Sequence, residues 1–331
     1  MTSVSLLRIE EVRALEGIHA HIRKILHAQN ADAVLLGLSG GIDSCLLATV
    51  AVQALGKSSV HAAYLYDSQS AGDLRRNVRV VSGWLGIETE EMSIEPFMRA
   101  MGVYASPEMR MTSISGALNR FLQRVYCRVH GESPFISSLR KGRVAESSGN
   151  NSNPDLQKKA GPIESAINSR HIYRRRFLES EAGKRNWALL GAANRTEWLT
   201  GWFVRGGVDD LPDQPLLGLY KTQVRQLAAF LKLPPGVQSA EPSPDMMKGI
   251  TDESALGARY DHIDLALDWL EGGVTQSEIL RAGVTEKEIR LVAEMKRISE
   301  WKRGSQQNFP PVDGGPSGGL RPGKRIRLES R

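Results

Sequence analysis

The residues with the clearest chemical meaning form one short segment, Ser39-Gly40-Gly41-Ile42-Asp43-Ser44. The apolar run before it predicts a short buried strand, and the apolar residues 46–52 after it predict a packed helix. Two adjacent glycines let the backbone turn sharply with its N–H groups pointing inward, and the helix start adds the positive end of its dipole. The segment therefore predicts an anion cradle. A carboxylate at Asp43 is tolerated beside phosphates only if a metal ion bridges them.

This pattern differs from the common P-loop, because no lysine follows Gly41. It resembles instead the pyrophosphate-binding loop of the ATP pyrophosphatases, which cleave ATP to AMP and pyrophosphate. A glycine turn that binds nothing is the alternative reading. The flanking strand and helix, together with both serines and the aspartate, favour the nucleotide-binding interpretation.

The composition is that of an ordinary soluble protein, with 41% hydrophobic and 24% charged residues among 331. There is no apolar run of about 18 residues, and the first 20 residues lack the apolar core of a signal peptide. The two cysteines, Cys45 and Cys127, form neither a metal motif nor a disulfide framework. We therefore expect a cytoplasmic protein with no membrane partner. The net charge of +6 favours anionic ligands without choosing among them.

Strand-like and helix-like segments alternate in the first half of the chain. Further strands are predicted at residues 60–66, 87–94 and 187–190. This alternation predicts an α/β fold with a parallel sheet flanked by helices, whose ligands bind at the carboxyl ends of the strands. Residues 67–69 should then lie near the nucleotide.

The chain divides into one domain, residues 1–304, and a basic tail, residues 305–331, which is rich in Gly and Pro and predicted to be disordered. Within the domain, the polar residues 131–162 predict a flexible loop, either a lid or an inert insertion. The arginine-rich residues 170–176 are predicted to start a helix. A solvated or phosphate-facing surface explains them better than a nucleic-acid contact.

A second set of motifs narrows the family. Gly191-Ala192-Ala193-Asn194-Arg195-Thr196-Glu197 predicts another turn between a strand and a helix, and residues 215–225, Asp252 to Gly257, and Tyr260 to Asp264 follow in order. Together they resemble the signature of the ammonia-dependent NAD synthetases. This resemblance implies an adenine nucleotide α-hydrolase-like fold. It also implies a homodimer in which helices after Glu95 and around Arg174 pack across a two-fold axis.

The resemblance implies that ATP adenylates the carboxylate of deamido-NAD, with release of pyrophosphate, and that ammonia then displaces AMP. The cofactors would be ATP and Mg²⁺, and the partners small molecules rather than nucleic acid. The catalytic residues would be Asp43, Glu197 and Lys221, with Asp43 and Glu197 as metal ligands. The residues binding ATP and pyrophosphate would be Ser39, Gly40, Gly41, Ile42, Asp43, Ser44, Arg205, Lys221 and Ser243. The residues binding the acid would be Arg174, Asn194, Asp209 and Asp210.

The chain departs from the family pattern on the acid side. Val208 and Pro212 stand where the family usually has aspartates, so Asp209, Asp210 or Asp213 would have to serve instead. An amide synthetase acting on another carboxylic acid is therefore an open alternative. Two others are a tRNA-thiolating ATP pyrophosphatase and a nucleotide-binding module without catalysis.

Overall fold

The computed structural model describes residues 3–112, 114–147, 161–243, 247–304 and 307–310. Within them lies one sheet of four parallel strands, which run in the order β3-β2-β1-β4. Their bounds are β1 Ala33–Gly37, β2 Val60–Tyr66, β3 Thr89–Ser93 and β4 Trp187–Leu190. The predicted parallel α/β fold is confirmed.

The helices of the first half are α1 Ser3–Leu6, α2 Glu11–Ala28, α3 Ile42–Leu55, α4 Gly72–Leu85, α5 Glu95–Ala100, α6 Pro107–Thr112, α7 Gly116–His130 and α8 Pro134–Ser147. Those of the second half are α9 Pro162–Lys184, α10 Arg195–Thr200, α11 Lys221–Phe230, α12 Pro235–Gln238, α13 Asp252–Leu256, α14 Tyr260–Leu270, α15 Gln276–Arg281 and α16 Glu286–Ile298. Short 3₁₀ turns span Lys57–Ser59, Val208–Asp210 and Glu300–Lys302.

Strand β1 is apolar on both faces because helices cover both faces of the sheet. Val34 and Leu36 pack into a core with residues of α2, α3 and α11, whereas Leu35 faces the opposite layer, where Leu178 and other residues of α9 pack. A second core joins α8, α10 and the helices from α14 to α16. No helix in the described part of the chain combines the length and apolarity needed to cross a bilayer.

Several predicted boundaries differ from those of the structure, and the helix expected to start at Arg170 begins at Pro162. Residues 134–147 were expected in a flexible loop, but they form α8, because Ile136 and Leu139 lie one turn apart and are buried against the C-terminal helices. Residues 148–160 of that predicted loop lie outside the described residues. At the C-terminus, Asn308 was placed in the tail, yet its backbone N–H donates to Pro212 O and its carbonyl accepts from the N–H of Gln214. Residues 311–331 also lie outside the described part.

A buried ion pair joins the end of β2 to helix α9. The Arg170 guanidinium meets the Asp67 carboxylate through two hydrogen bonds of 2.6 and 2.7 Å, and both side chains are fully buried. The Tyr104 hydroxyl donates to the same carboxylate at 3.0 Å. Burial tends to raise the pKa of Asp67, but Arg170 outweighs this and lowers it. The carboxylate predicted to approach the nucleotide is instead committed to this pair.

We expect Arg170→Met to destabilise the protein by about 3–5 kcal/mol, because it removes the cation bound to both oxygens of the buried Asp67 carboxylate and leaves Arg174, at 3.9 Å, to compensate the charge. The double variant Asp67→Asn/Arg170→Met should recover part of this loss, since it no longer buries an unpaired charge. Lys184→Met, which removes an exposed cation from the same helix, should unfold like wild type. Urea denaturation of all four proteins tests this, and a double variant less stable than Arg170→Met would contradict it.

Candidate active site

The Ser-Gly-Gly loop leaves the carboxyl end of β1 and is closed by its own serines. Ser44 Oγ accepts the N–H of Ser39 at 3.1 Å, lies 3.0 Å from Ser39 Oγ and donates to Gly41 O at 3.1 Å. Gly40 has φ 84°, and a Cβ atom there would lie 2.2 Å from the carbonyl oxygen of Leu74. Only glycine fits this position, because both the backbone conformation and the close approach of α4 exclude a side chain.

Asn194 fixes the two acidic residues of the predicted site relative to each other. Its side-chain oxygen accepts the N–H of Glu197 at 3.0 Å, and the Glu197 carboxylate accepts the N–H of Asn194 at 3.3 Å. The Asn194 amide then donates to Asp43 Oδ1 at 2.8 Å. Because β4 lies beside β1, this capping box stands next to the cradle helix. Asn194 is thus a buried link between the two loops.

Lys221 begins α11 and points between the two carboxylates. Its Nζ lies 2.5 Å from Asp43 Oδ2 and 3.2 Å from Glu197 Oε1, and its side chain is 3% exposed. Burial opposes the charged ammonium, but the two carboxylates outweigh this and raise the pKa of Lys221. Burial raises the pKa of Glu197, with help from Asp43 and against the opposing effect of Lys221. When all three groups are ionised the cluster carries a net negative charge, which favours a further cation.

The donor set suits Mg²⁺. Asp43 and Glu197 converge on one point, since both lie within 3.2 Å of the same ammonium nitrogen. Among the described residues no three His, Cys, Asp or Glu side chains gather as a metal cage. Mg²⁺ does not need one, because it usually keeps several waters and takes one or two carboxylates together with substrate phosphates.

A cavity of about 900 Å³ opens beside this cluster. Its wall contains many of the predicted residues: Ser39, Gly41, Ile42, Asp43, Ser44, Arg174, Glu197, Asp209, Lys221 and Ser243. Some of these residues are distant in the sequence, such as residues 39–44 and Ser243, and the fold brings them together at one cavity. Residues 244–246, which follow Ser243, lie outside the described residues.

The chain was compared with known proteins. The model of the NAD synthase family matches residues 14–122 and 151–306. The NH₃-dependent NAD⁺ synthetases of Thermotoga neapolitana and Thermotoga maritima are each 30% identical over 295 residues, which is 89% of this chain and 94% and 97% of theirs. The chain belongs to the NAD synthase family.

Solved structures agree on the fold of this NAD synthase family member. NMN synthetase from Francisella tularensis superposes with a TM-score of 0.65 at 20% identity, covering 91% of this chain and 99% of the other. The NH₃-dependent NAD synthetase of Campylobacter jejuni gives a TM-score of 0.62 at 18% identity, again over 91% and 99%.

Four predicted residues of the NAD synthase site do not line the cavity: Gly40 and Asn194, whose contacts are described above, and Arg205 and Asp210. Arg205 is exposed and its guanidinium lies toward Gly304. Asp210 turns into its own loop, where Oδ2 accepts the N–H of Gly206 at 2.8 Å and Oδ1 accepts from Gln307 at 3.3 Å. Asp213, the third candidate to replace the family aspartates, accepts from Gln29 at 2.6 Å instead. Among these three acidic residues, only Asp209 lines the cavity.

The part of the cavity wall that contains Arg174 and Asp209 also contains His171, which the motifs did not indicate. His171 Nδ1 lies 3.6 Å from Asp209 Oδ2 and makes no hydrogen bond within the described residues. Burial raises the pKa of Asp209 to about 6, and the negative charge of Asp43 contributes to this increase. Burial, reinforced by Arg174, lowers the pKa of His171 well below its usual value. A neutral imidazole therefore faces a carboxylate in the cavity wall.

Lys302 also lines the cavity, and the sequence had assigned it no role. Its ammonium donates to the carbonyl oxygens of Gly201 and Phe203. Burial lowers the pKa of Lys302 to about 8. Lys302 belongs to the segment Trp301-Lys302-Arg303, which resembles the end of the family's domain, but this resemblance implied no role for the lysine.

We expect Gly40→Ala to lower the melting temperature and to abolish the stabilisation of the protein by ATP with Mg²⁺. The added Cβ would push Leu74 away and force a left-handed backbone on alanine. Gly83→Ala is the matched control. Gly83 lies on α4, the helix that carries Leu74, and a Cβ atom added there would have no other atom within 4 Å. Thermal-shift measurements on both variants test this, and an unchanged ATP response in Gly40→Ala would contradict it.

Proposed function

We propose that the protein is an ATP- and Mg²⁺-dependent ligase that amidates the carboxylate of deamido-NAD with ammonia, giving NAD, AMP and pyrophosphate. The observation that carries this proposal is the buried convergence of Asp43, Glu197 and Lys221 beside the Ser-Gly-Gly cradle. Relatives over most of the chain are named NH₃-dependent NAD⁺ synthetases. The reaction uses small soluble substrates, and we propose that it takes place in the cytoplasm.

In the first step an oxygen of the substrate carboxylate attacks the α-phosphorus of ATP, and pyrophosphate leaves. The chain must hold several negative charges together, so catalysis rests on positioning and charge neutralisation. The inward N–H groups and serine hydroxyls of the cradle would bind the leaving phosphates, and Lys221 would supply positive charge. Asp43 and Glu197 would hold Mg²⁺, which neutralises phosphate charge when bound.

In the second step ammonia attacks the acyl carbon, and AMP leaves. This step needs no protein nucleophile, because the acyl group is carried by AMP. Ser243, in the cavity wall, would donate a hydroxyl to the phosphates. Arg174 and Asp209 would contact the acid, and Asn194 would act through the residues it fixes.

A second candidate is the same chemistry on another carboxylic acid. Val208 lines the cavity where the family usually has an aspartate, and the nearby Asp210 and Asp213 are turned away. The fold does not choose the acid, since a structural neighbour is named an NMN synthetase.

We expect pyrophosphate release from ATP, Mg²⁺ and ammonium to require deamido-NAD and to yield NAD. Asp43→Asn should reduce the rate at least about 100-fold, because it removes a proposed metal ligand and the carboxylate that lies nearest the Lys221 ammonium. The matched control Asp73→Asn, an exposed carboxylate on α4, should react like wild type.

Two further reactions complete the assay. One replaces deamido-NAD by nicotinate mononucleotide, the acid that corresponds to NMN, and the other contains no acid. Release only with the mononucleotide would replace deamido-NAD by the alternative acid. No release with either acid, despite stabilisation by ATP, would contradict a ligase function.

We also propose a homodimer built on helix α7. Phe121, Val125 and Val129 form an exposed apolar row on this helix, and Val125 and Val129 also line the cavity. Phe97 and Met101, near α5, are exposed as well. A second copy of the chain covering this face would bury the row and close that side of the cavity.

We expect wild type to elute at twice the mass of the chain in size-exclusion chromatography with light scattering. Val129→Glu should give a monomer, because it places a charge in the proposed interface. Val12→Glu is the control, since Val12 is a similarly exposed valine on α2, away from that face. Dimerisation that survives Val129→Glu would place the interface elsewhere.

A further inference from the structure

Two buried residues outside the cavity wall tie together the helices that carry Glu197 and Lys221. Thr196 Oγ1 accepts the backbone N–H of Lys221 at 2.8 Å and donates to Asp264 Oδ1 at 2.5 Å. Asp264 Oδ2 accepts the N–H of Thr222 at 2.8 Å. Neither Thr196 nor Asp264 exposes surface to solvent. The first turn of α11 is thus bound to the first turn of α10 through one hydroxyl and one carboxylate.

We infer that Thr196 and Asp264 are positioning residues of the reaction, because they set the placement of Lys221 relative to Glu197. The inference rests on the proposed ligase function. Thr196 immediately precedes Glu197, and the residues that donate to this pair are Lys221 itself and its neighbour Thr222. A shift of either helix start would therefore change the distance between the Lys221 ammonium and the two carboxylates.

A fully buried carboxylate at position 264 costs desolvation free energy, which an apolar side chain packed in the same place would avoid. A buried carboxylate is unfavourable unless its oxygens are hydrogen-bonded, and both oxygens of Asp264 are. The N–H groups of Lys221 and Thr222 belong to a helix start, where backbone donors lack partners within the helix. Asp264 and Thr196 supply these partners from two different elements. A capping side chain at position 220 or in the preceding turn could have accepted the same N–H groups, but it would not have connected α11 to α10.

Helix α14 also holds the other end of Lys221. Tyr260, one turn before Asp264, places its ring 5.2 Å from Lys221 Nζ. The Tyr260 hydroxyl donates to Asp252 Oδ2 at 2.8 Å, which fixes the ring. One face of α14 therefore lies near both ends of Lys221. Asp264 binds Thr196 and the N–H of Thr222 beside its backbone, and Tyr260 faces its ammonium. This gives a role to the Tyr260 and Asp264 motif, which the sequence matched to the family without one.

The test compares four substitutions. Thr196→Val removes the hydroxyl at nearly constant volume, Thr196→Ser keeps it, and Asp264→Asn removes the charge and turns one acceptor into a donor. Asp268→Asn is the matched control, because Asp268 lies one turn further along α14, is 1% exposed and accepts the N–H of Val274 at 2.8 Å. It is a buried carboxylate of the same helix, hydrogen-bonded to the turn that follows α14.

We expect Thr196→Val and Asp264→Asn to lower kcat about 10- to 100-fold, since a misplacement near 1 Å can cost about that much. KM for ATP should change less than about threefold, because the cradle is intact. Thr196→Ser should restore kcat to within about threefold of wild type. Asp268→Asn should lower the melting temperature while kcat stays near wild type.

A second readout does not depend on turnover. The rise in melting temperature caused by ATP with Mg²⁺, measured against Mg²⁺ concentration, should need at least threefold more Mg²⁺ in Thr196→Val and Asp264→Asn. The inference is overturned if these variants keep wild-type kcat and Mg²⁺ dependence, or if Asp268→Asn loses kcat as severely as they do. If wild type does not turn over deamido-NAD, the proposed function fails, and the Mg²⁺ dependence alone decides the inference.

Discussion

The structure depends on holding two carboxylates and one ammonium together out of water. Asp43, Glu197 and Lys221 come from chain segments more than 150 residues apart at the extremes, and loss of Lys221 would leave two neighbouring carboxylates without the cation that pairs with both. Desolvation penalises each group alone, so the cluster is stable only if the backbone fixes all three positions. The parallel order of β1 and β4 brings the first two together, and the contact of α11 with α10 brings the third.

Each member of the cluster is held by a bond that the chemistry itself does not use. Asn194 joins Asp43 to the helix of Glu197, and Thr196 joins that helix to Lys221. Gly40 lets α4 approach the cradle to within van der Waals contact. Because these links cross between elements, a small shift in one element would be felt by all three charged groups. The site is assembled from the helix starts that follow β1 and β4 and from the start of α11.

The sequence predicted what depends on local pattern. The strand at Ala33 to Gly37 and the glycine turn after it follow from apolar runs and glycine chemistry, and the short strand at Trp187 to Leu190 is likewise correct. The prediction failed where the direction of a side chain is set by hydrogen-bond partners that are distant in the sequence. Asp210 and Asp213 lie close to Asp209 in sequence, yet hydrogen bonds to Gln307 and Gln29 turn them away from the cavity. Helix α8 was missed because its polar composition hides the two buried residues that hold it.

The two halves of the cavity are therefore under different constraints. The half beside the cradle is fixed by buried hydrogen bonds between α10, α11 and α14, and substitutions there disturb several groups at once. The half beside α7 is lined by apolar side chains such as Val125 and Val129, which are exposed. Apolar contacts tolerate exchange better than a network of buried bonds does. Val208 lines the same cavity, and we propose that a change at this position alters the acid that is bound while the activation chemistry stays intact.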